Sequence, residues 1–180
     1  MLKKILIGVA VFIIGFVLYA TLIVAKKSPF EKVDYSYENL DVSVEYCRPY
    51  KKGRVIFGDE SEGALQPNGV YWRLGANAAT EITFSSNVNF AGSAVDAGTY
   101  RMYAIPGAES FEISLNSGLG SYFAVAEPDY ALDILKVKVP TNVSSSEVEQ
   151  FTISFDSDST GMQMNLAWDR MLLNIPIAKR

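Results

Sequence analysis

Three arginines with aromatic neighbours are the first feature of this sequence that suggests chemistry. A guanidinium binds a carboxylate or a phosphate through two parallel hydrogen bonds, so arginines brought together from separate segments can line an anion pocket. An amide in the bend at 75–77 can point at the same ligand, and two aromatic rings can form a wall. The candidate ligand-binding residues are Arg48, Arg54, Trp72, Arg73, Asn77 and Tyr100. The alternative is structural, because such arginines also pair with carboxylates to hold a fold together.

Four acidic residues keep a second chemistry open, the carboxylate-dependent hydrolysis of a polysaccharide. Glycoside cleavage needs two carboxyl groups about 5 to 9.5 Å apart and no histidine. The candidates are Glu45, Glu81, Asp156 and Asp169. The run 156–159 also offers hard oxygens to calcium, but it lacks the remaining ligands of a recognised loop. A binding or envelope-structural module is therefore the first hypothesis, and a hydrolase is the alternative.

Histidine is absent and cysteine occurs once, as Cys47. These counts exclude Ser-His-Asp and Cys-His catalysis, histidine-bearing zinc sites and an internal disulfide. Arg48 adjoins Cys47 and can activate a thiol, although a lone cysteine at a strand end is more often a packed side chain. We predict no cofactor and no metal.

The charge balance argues against nucleic acid as a partner. Residues 28–180 contain twelve basic and all twenty acidic residues, a net charge of −8. A nucleic-acid binder normally presents a basic face. The remaining candidate partners are a small anionic or carbohydrate ligand, or an envelope protein.

Apolar and polar residues alternate through most of the chain after residue 28, which is the pattern of half-buried strands. Turn signals separate these runs, and no run has helical periodicity over three turns. The prediction is all-β: an antiparallel β-sandwich or jelly-roll-like domain over residues 41–180, with 28–40 as a linker or entering edge. Pro176 predicts that the last strand is an edge. The predicted strands are 38–47, 54–58, 70–74, 79–86, 87–91, 98–105, 110–115, 132–139 and 149–156, with a closing pair at 161–168 and 171–177.

Residues 5–25 contain no charge and are flanked by lysines on both sides. A helix of this length reaches roughly 31 Å, which matches a hydrocarbon core about 30 Å thick. We therefore predict that residues 1–27 form one transmembrane anchor with basic flanks and that residues 5–25 contact the membrane. A cleaved export signal is the alternative, but its apolar region is normally shorter. The flanking lysines are balanced, so charge does not set the orientation.

Three ordered motifs resemble a known family. They occupy residues 46–58 (YCRPYKKGRVIFG), 71–81 (YWRLGANAATE) and 97–107 (AGTYRMYAIPG), and FTISFD and a late LAW follow. Over about residues 40–177 the chain is similar to a bacterial family catalogued as domain of unknown function 2911. Cys47 departs from the serine usual in that family. Members typically follow an export signal or anchor, which implies that residues 28–180 lie outside the cytoplasmic membrane of a bacterial cell envelope. The resemblance implies no activity.

Overall fold

The computed structural model of the chain describes residues 2–19, 27–120, 126–159 and 161–180. One α-helix, α1 (Leu2–Tyr19), precedes a domain made almost entirely of strands. Single 3-10 turns lie at Glu60–Glu62 and Tyr130–Leu132. The strands in these ranges are β1 (Phe30–Tyr37), β2 (Leu40–Cys47), β3 (Phe57–Gly58), β4 (Gln66–Pro67), β5 (Thr80–Phe84), β6 (Val88–Phe90), β7 (Ser93–Val95), β8 (Gly98–Ile105), β9 (Ser110–Asn116), β10 (Asp133–Pro140), β11 (Asn142–Asp158) and β12 (Gly161–Lys179).

Two antiparallel sheets make up the domain. The larger has six strands in the order β1-β2-β5-β8-β9-β10, and the smaller has four in the order β11-β12-β6-β7. A short parallel pair, β3 and β4, belongs to neither sheet. Inward side chains of both sheets form one buried hydrophobic cluster. This arrangement is consistent with a β-sandwich and confirms the prediction of an all-β, antiparallel fold.

Alternation along the strands determines which residues enter this cluster. The inward side chains of β2 are at most 2% exposed, because every second residue points to the same face. Aromatic rings from three segments meet in the middle of the cluster. The ring centroids of Trp72 and Phe151 lie 5.0 Å apart, and those of Trp72 and Trp168 lie 5.8 Å apart. The core is therefore closed by nonlocal aromatic contacts.

The element β12 contains both closing strands that the sequence predicts. Inward residues occupy every second position as far as Trp168 and resume at Met171. The chain reverses between these two runs: Asn174 Nδ2 donates to Asn165 Oδ1 (2.6 Å), and a Cβ added at Gly161 would lie 3.1 Å from the Ile177 carbonyl oxygen. Asp169 adopts a left-handed φ of 56° in the two-residue turn 169–170. The prediction of a closing pair is therefore confirmed.

Other strand predictions need correction. Residues 70–74 form no strand and contribute only an isolated bridge between Trp72 and Ala104, while β4 and β7 were not predicted. The edge prediction for Pro176 was wrong, since β12 lies between β11 and β6. The proline is tolerated because its partner, Ala91, already lies beyond the end of β6. Its missing N–H therefore costs at most a terminal hydrogen bond.

The N-terminal part of the chain is helical as far as Tyr19. The predicted spanning segment 5–25 continues into residues 20–25, which lie outside the described residues. Within the ranges described, no helix is both long enough and apolar enough to cross a membrane. Of the two alternatives for residues 28–40, the structure has an edge strand: Phe30–Tyr37 forms β1 and pairs along its whole length with β2.

Tyr46 joins the two sheets through its hydroxyl group. The hydroxyl donates to Glu31 Oε2 (3.0 Å) on β1 and accepts the N–H of Ile153 (2.8 Å) on β11. Burial raises the pKa of Tyr46 above its ordinary value of 10.0. The folded protein therefore retains a proton at a pH where the unfolded chain has lost it.

We expect the domain to lose stability steeply in alkali. Native protein binds more protons than unfolded protein above about pH 10, so the free energy of unfolding falls as pH rises through this range. The Tyr46→Phe variant should start less stable, because the Ile153 N–H loses its acceptor, but its decline with pH should be shallower. Urea unfolding of both proteins at about pH 9 and about pH 11 measures the difference. Equal slopes would contradict this expectation.

Candidate ligand-binding site

A surface cavity of about 620 Å³ lies where five parts of the chain meet. They are the end of the predicted anchor segment, the segment that follows β2, the beginning of β4 with the residue before it, the bend that precedes β5, and the middle of β12. The cavity is lined by Lys27, Ser28, Pro49, Tyr50, Lys52, Arg54, Leu65, Gln66, Arg73, Gly75, Ala76, Asn77 and Trp168. We refer to it as the basic cavity.

The described residues that line the basic cavity include no carboxylates and four cations, Lys27, Lys52, Arg54 and Arg73. Arg73 makes no hydrogen bond or ion pair within the described part of the chain. The Nζ of Lys52 lies 5.8 Å from the centroid of the Tyr50 ring. Arg54 donates through Nε to the Lys51 carbonyl (2.9 Å) and through Nη2 to the Tyr50 carbonyl. Arg54 is therefore held in place by uncharged acceptors, and its charge stays available to a ligand.

The bend at residues 74–77 has an unusual backbone conformation, and it holds Arg73 and Asn77 at the wall of the basic cavity. Leu74 and Asn77 adopt left-handed φ values of 52° and 59°. Such conformations are rare for side-chain-bearing residues and persist where the surroundings enforce them. The Leu74 carbonyl accepts the buried Thr80 hydroxyl (2.6 Å), and the Cys47 carbonyl accepts the Ala76 N–H (3.2 Å). These bonds fix the bend against the end of β2.

Lys51, the neighbour of Lys52, is neutralised by acids. Its Nζ lies 2.7 Å from Asp169 Oδ1 and 3.0 Å from Glu147 Oε2. The hydrogen bond to Asp169, followed by that to Glu147, raises the pKa of Lys51. The turn of β12 thus supplies a counter-ion for Lys51, whereas the cations of the basic cavity form no ion pair with a described residue.

The predicted ligand-binding residues fall into two groups. Arg54, Arg73 and Asn77 line the basic cavity. Arg48 instead ties strands together: its Nε lies 2.8 Å from Glu31 Oε2, and its Nη2 donates to Thr152 Oγ1 (2.8 Å). This is the structural use of arginine that the sequence left open.

The two predicted wall aromatics lie away from the basic cavity. Trp72 is 1% exposed and belongs to the hydrophobic cluster. Tyr100 is half-buried on β8, where its hydroxyl donates to the Asp96 carbonyl (3.0 Å). Burial raises the pKa of Tyr100. The aromatic residues that line the cavity are instead Tyr50 and, at its base, Trp168, which is 0% exposed and also belongs to the hydrophobic cluster.

The charged and aromatic lining residues that sequence reasoning missed are Lys27, Tyr50, Lys52 and Trp168, and it also missed Leu65 and Gln66. Lys52 and Tyr50 lie inside the motif 46–58, so the motif itself could have identified them. Trp168 is the tryptophan of the late LAW motif, but an inward position on a strand predicts only core. Lys27 was assigned to the flank of the anchor. Nothing local to these residues indicates that they converge.

The four carboxylates of the hydrolase hypothesis lie on two different sheets. Glu45 and Glu81 are directly opposite on β2 and β5, and Glu45 Oε1 lies 3.3 Å from Lys32 Nζ. Asp156 accepts from Asn165 (2.8 Å) on the other sheet, where Asp169 contacts Lys51. None of the four lines the basic cavity.

The described residues provide neither a metal site nor an exposed thiol. No group of three or more acidic or cysteine side chains among them is placed to hold a metal ion. In the run considered for calcium, Ser157 Oγ accepts the Tyr35 hydroxyl (2.8 Å) and the Asp158 carbonyl accepts the Tyr37 hydroxyl (2.7 Å). Cys47 is free and 2% exposed. A thiol in this position is packed rather than presented to a substrate.

Fold and cavity together define a class, the antiparallel β-sandwich domain with a cation-lined surface cavity. The chain belongs to the family described as Protein of unknown function (DUF2911), whose model matches residues 28–177. The match begins before β1, so the family domain includes this edge strand as well as the part predicted from residue 40 onward. No curated protein and no solved structure matches the chain.

Proposed function

We propose that the protein is a membrane-anchored, extracytoplasmic binding module that takes a small organic anion into the basic cavity. The observation that carries this proposal is a cavity whose described lining contains four cations and no acid, on a domain whose net charge is −8. Unneutralised cations in a concave site repel one another and focus the field on an incoming anion. A ligand with a carboxylate or a phosphate group would neutralise them.

The size and the lining of the cavity narrow the ligand class. About 620 Å³ falls in the range of small-molecule sites. Arg73 can supply two parallel hydrogen bonds, and Lys27 and Lys52 act as point charges. Gln66 and Asn77 add neutral polar groups beside the ring of Tyr50. A compact molecule with one anionic group and several hydroxyl groups matches this lining.

The proposed location is supported by the sequence of the N-terminal segment. Residues 5–25 are uncharged, and lysines flank them on both sides. The described apolar side chains of α1 from Ile5 to Tyr19 are more than half exposed, as expected of a surface that lipid would cover. The family resemblance supports an orientation with the β-domain outside the cytoplasmic membrane.

Arg73 provides the test of ligand binding. The Arg73→Gln variant should lose about 1.5–3 kcal/mol of binding free energy, which weakens the affinity for an anion about ten- to a hundredfold. Arg170→Gln is the matched control, since Arg170 is an exposed arginine on β12 outside the cavity. Calorimetric titration of the full chain with phosphate, citrate and glucuronate measures both. The proposal fails if no anion binds, or if both variants bind like wild type.

A further inference from the structure

We infer that the anion in the basic cavity is the phosphate-bearing headgroup of a membrane lipid, taken from the leaflet into which the chain itself is anchored. This inference rests on the proposed binding function and location. It adds a ligand class, an anionic phospholipid headgroup in place of an unspecified organic anion.

Covalent connectivity places the cavity at headgroup level. Lys27 and Ser28 line the cavity, and Lys27 is only two residues beyond the end of the apolar run 5–25. Two residues span at most about 7 Å. The headgroup layer on each side of a bilayer is about 5–7 Å thick. If residues 5–25 cross the hydrocarbon core, Lys27 therefore lies among the headgroups, together with the wall of the cavity that it forms.

Between Lys27 and β1 the described residues form no flexible spacer that could lift the cavity away from this layer. The Pro29 carbonyl accepts the N–H of Arg48 (2.8 Å), and the Ser28 carbonyl accepts from Asn77 Nδ2 (3.4 Å). Strand β1 then begins at Phe30. The chain is thus bonded to the domain from the first residue after Lys27, so the cavity and the end of the apolar run stay close together.

The surroundings of the cavity match a lipid better than a freely diffusing anion. Leu65 lines the cavity and is 38% exposed, and Val55, whose carbonyl accepts the Leu65 N–H (3.0 Å), is 49% exposed. Exposed apolar side chains next to cations fit the glycerol and first acyl carbons beside a phosphate. An anionic leaflet repels the domain as a whole, whose net charge is −8, but attracts the cations of the basic cavity. These two forces together turn the basic cavity toward the membrane.

The experiment is a lipid titration of the full-length chain, purified in a neutral detergent and observed by native mass spectrometry. Phosphatidylglycerol and phosphatidylcholine with the same acyl chains are the two lipid probes. Glycerophosphoglycerol, the same anionic headgroup without acyl chains, is the soluble probe. We expect phosphatidylglycerol to bind at least about tenfold more tightly than either of the others. Arg73→Gln and Lys52→Gln should abolish this preference, whereas Arg170→Gln should keep it.

The other outcomes separate the inference from the function on which it rests. If glycerophosphoglycerol binds as tightly as phosphatidylglycerol and Arg73→Gln weakens both, the ligand is a soluble anion, which overturns the lipid inference and leaves anion binding intact. If the preference for phosphatidylglycerol survives both cavity variants, lipid binds elsewhere and the inference is overturned. If phosphatidylglycerol, glycerophosphoglycerol, phosphate, citrate and glucuronate all fail to bind, both the lipid inference and the proposed anion-binding function fail.

Discussion

Replacing Trp72 by alanine is expected to lower the free energy of unfolding by about 3–5 kcal/mol, the usual cost of removing a large aromatic side chain from a core. Trp72 is 1% exposed, and its ring contacts those of Phe57, Phe111, Phe151 and Trp168. It connects the segment before β5 to both long strands of the smaller sheet. Neighbouring rings of this size cannot move into the void that alanine would leave in the core. Most of the energetic cost of this void should therefore appear as a loss in the free energy of unfolding.

The Trp72→Phe variant distinguishes the contribution of the aromatic ring from that of the indole N–H, because it keeps a ring and removes the N–H. The indole N–H of Trp72 is buried and has no hydrogen-bond partner among the described residues. Such a group costs about 1–3 kcal/mol, and phenylalanine does not carry it. We therefore expect Trp72→Phe to be far less destabilised than Trp72→Ala. Thermal unfolding of the full chain, followed by far-ultraviolet circular dichroism, measures both variants.

Ligand affinity gives an independent check on the position of Trp72. Because this side chain does not line the basic cavity, the folded Trp72→Phe variant should bind an anion as wild type does. A stable Trp72→Ala variant with impaired binding would contradict the core assignment. It would instead support the aromatic wall that the sequence predicted at this position.

Periodicity predicted the fold well wherever a strand is regular. Strand β2 alternates from Leu40 to Tyr46 and ends at the predicted residue, Cys47. Strand β8 has the predicted bounds, Gly98–Ile105, because turn residues lie on both sides of it. The reversal within β12 was predicted as well, because the alternation stops at Trp168 and resumes at Met171. The conformation of its turn could not be predicted, since Asp169 adopts a left-handed backbone and the sequence around it contains no glycine to signal that conformation. Strand β1 was ambiguous because no residue in it is fully buried.

The candidate site could be predicted only in part, because the sequence shows which residues are charged but not which charges are paired. Arg48 and Arg73 lie in motifs of similar character. Glu31, which pairs with Arg48, comes from a segment that read as a polar linker. Arg73 has no such partner in the described part of the chain and lines the cavity instead. Pairing of this kind is nonlocal, and it decides whether an arginine serves the fold or a ligand.

Gly75→Ala should be about as damaging as Trp72→Ala, although it adds only one methyl group. Gly75 has a φ of 153°, a conformation almost restricted to glycine that costs other residues about 1–3 kcal/mol. An added Cβ would lie 2.7 Å from the Cys47 carbonyl oxygen, which is backbone and cannot rotate away. Forcing this atom into packed surroundings adds about 1–3 kcal/mol. We expect a total loss of about 3–5 kcal/mol in the free energy of unfolding.

Gly53→Ala is the matched control for this substitution. Gly53 also has a positive φ, of 68°, but a Cβ there would meet nothing within 4 Å. It should cost only the strain of a left-handed alanine, roughly 1–2 kcal/mol. Thermal unfolding of both variants therefore isolates the contribution of the contact with Cys47. Equal losses would show that the bend moves away from β2 at little cost.

The same substitution also tests how the basic cavity is built. The Ala76 N–H reaches the Cys47 carbonyl only because Gly75 has no side chain, and this contact holds Arg73 and Asn77 on either side of the bend. Gly75→Ala should therefore weaken anion binding even at temperatures where the variant is fully folded. Gly92→Ala should not, because Gly92 lies in the turn between β6 and β7, outside the cavity, and combines a φ of 81° with open space around an added Cβ. Wild-type affinity in folded Gly75→Ala protein would mean that the bend supports the fold alone and that the cationic wall is positioned by other contacts.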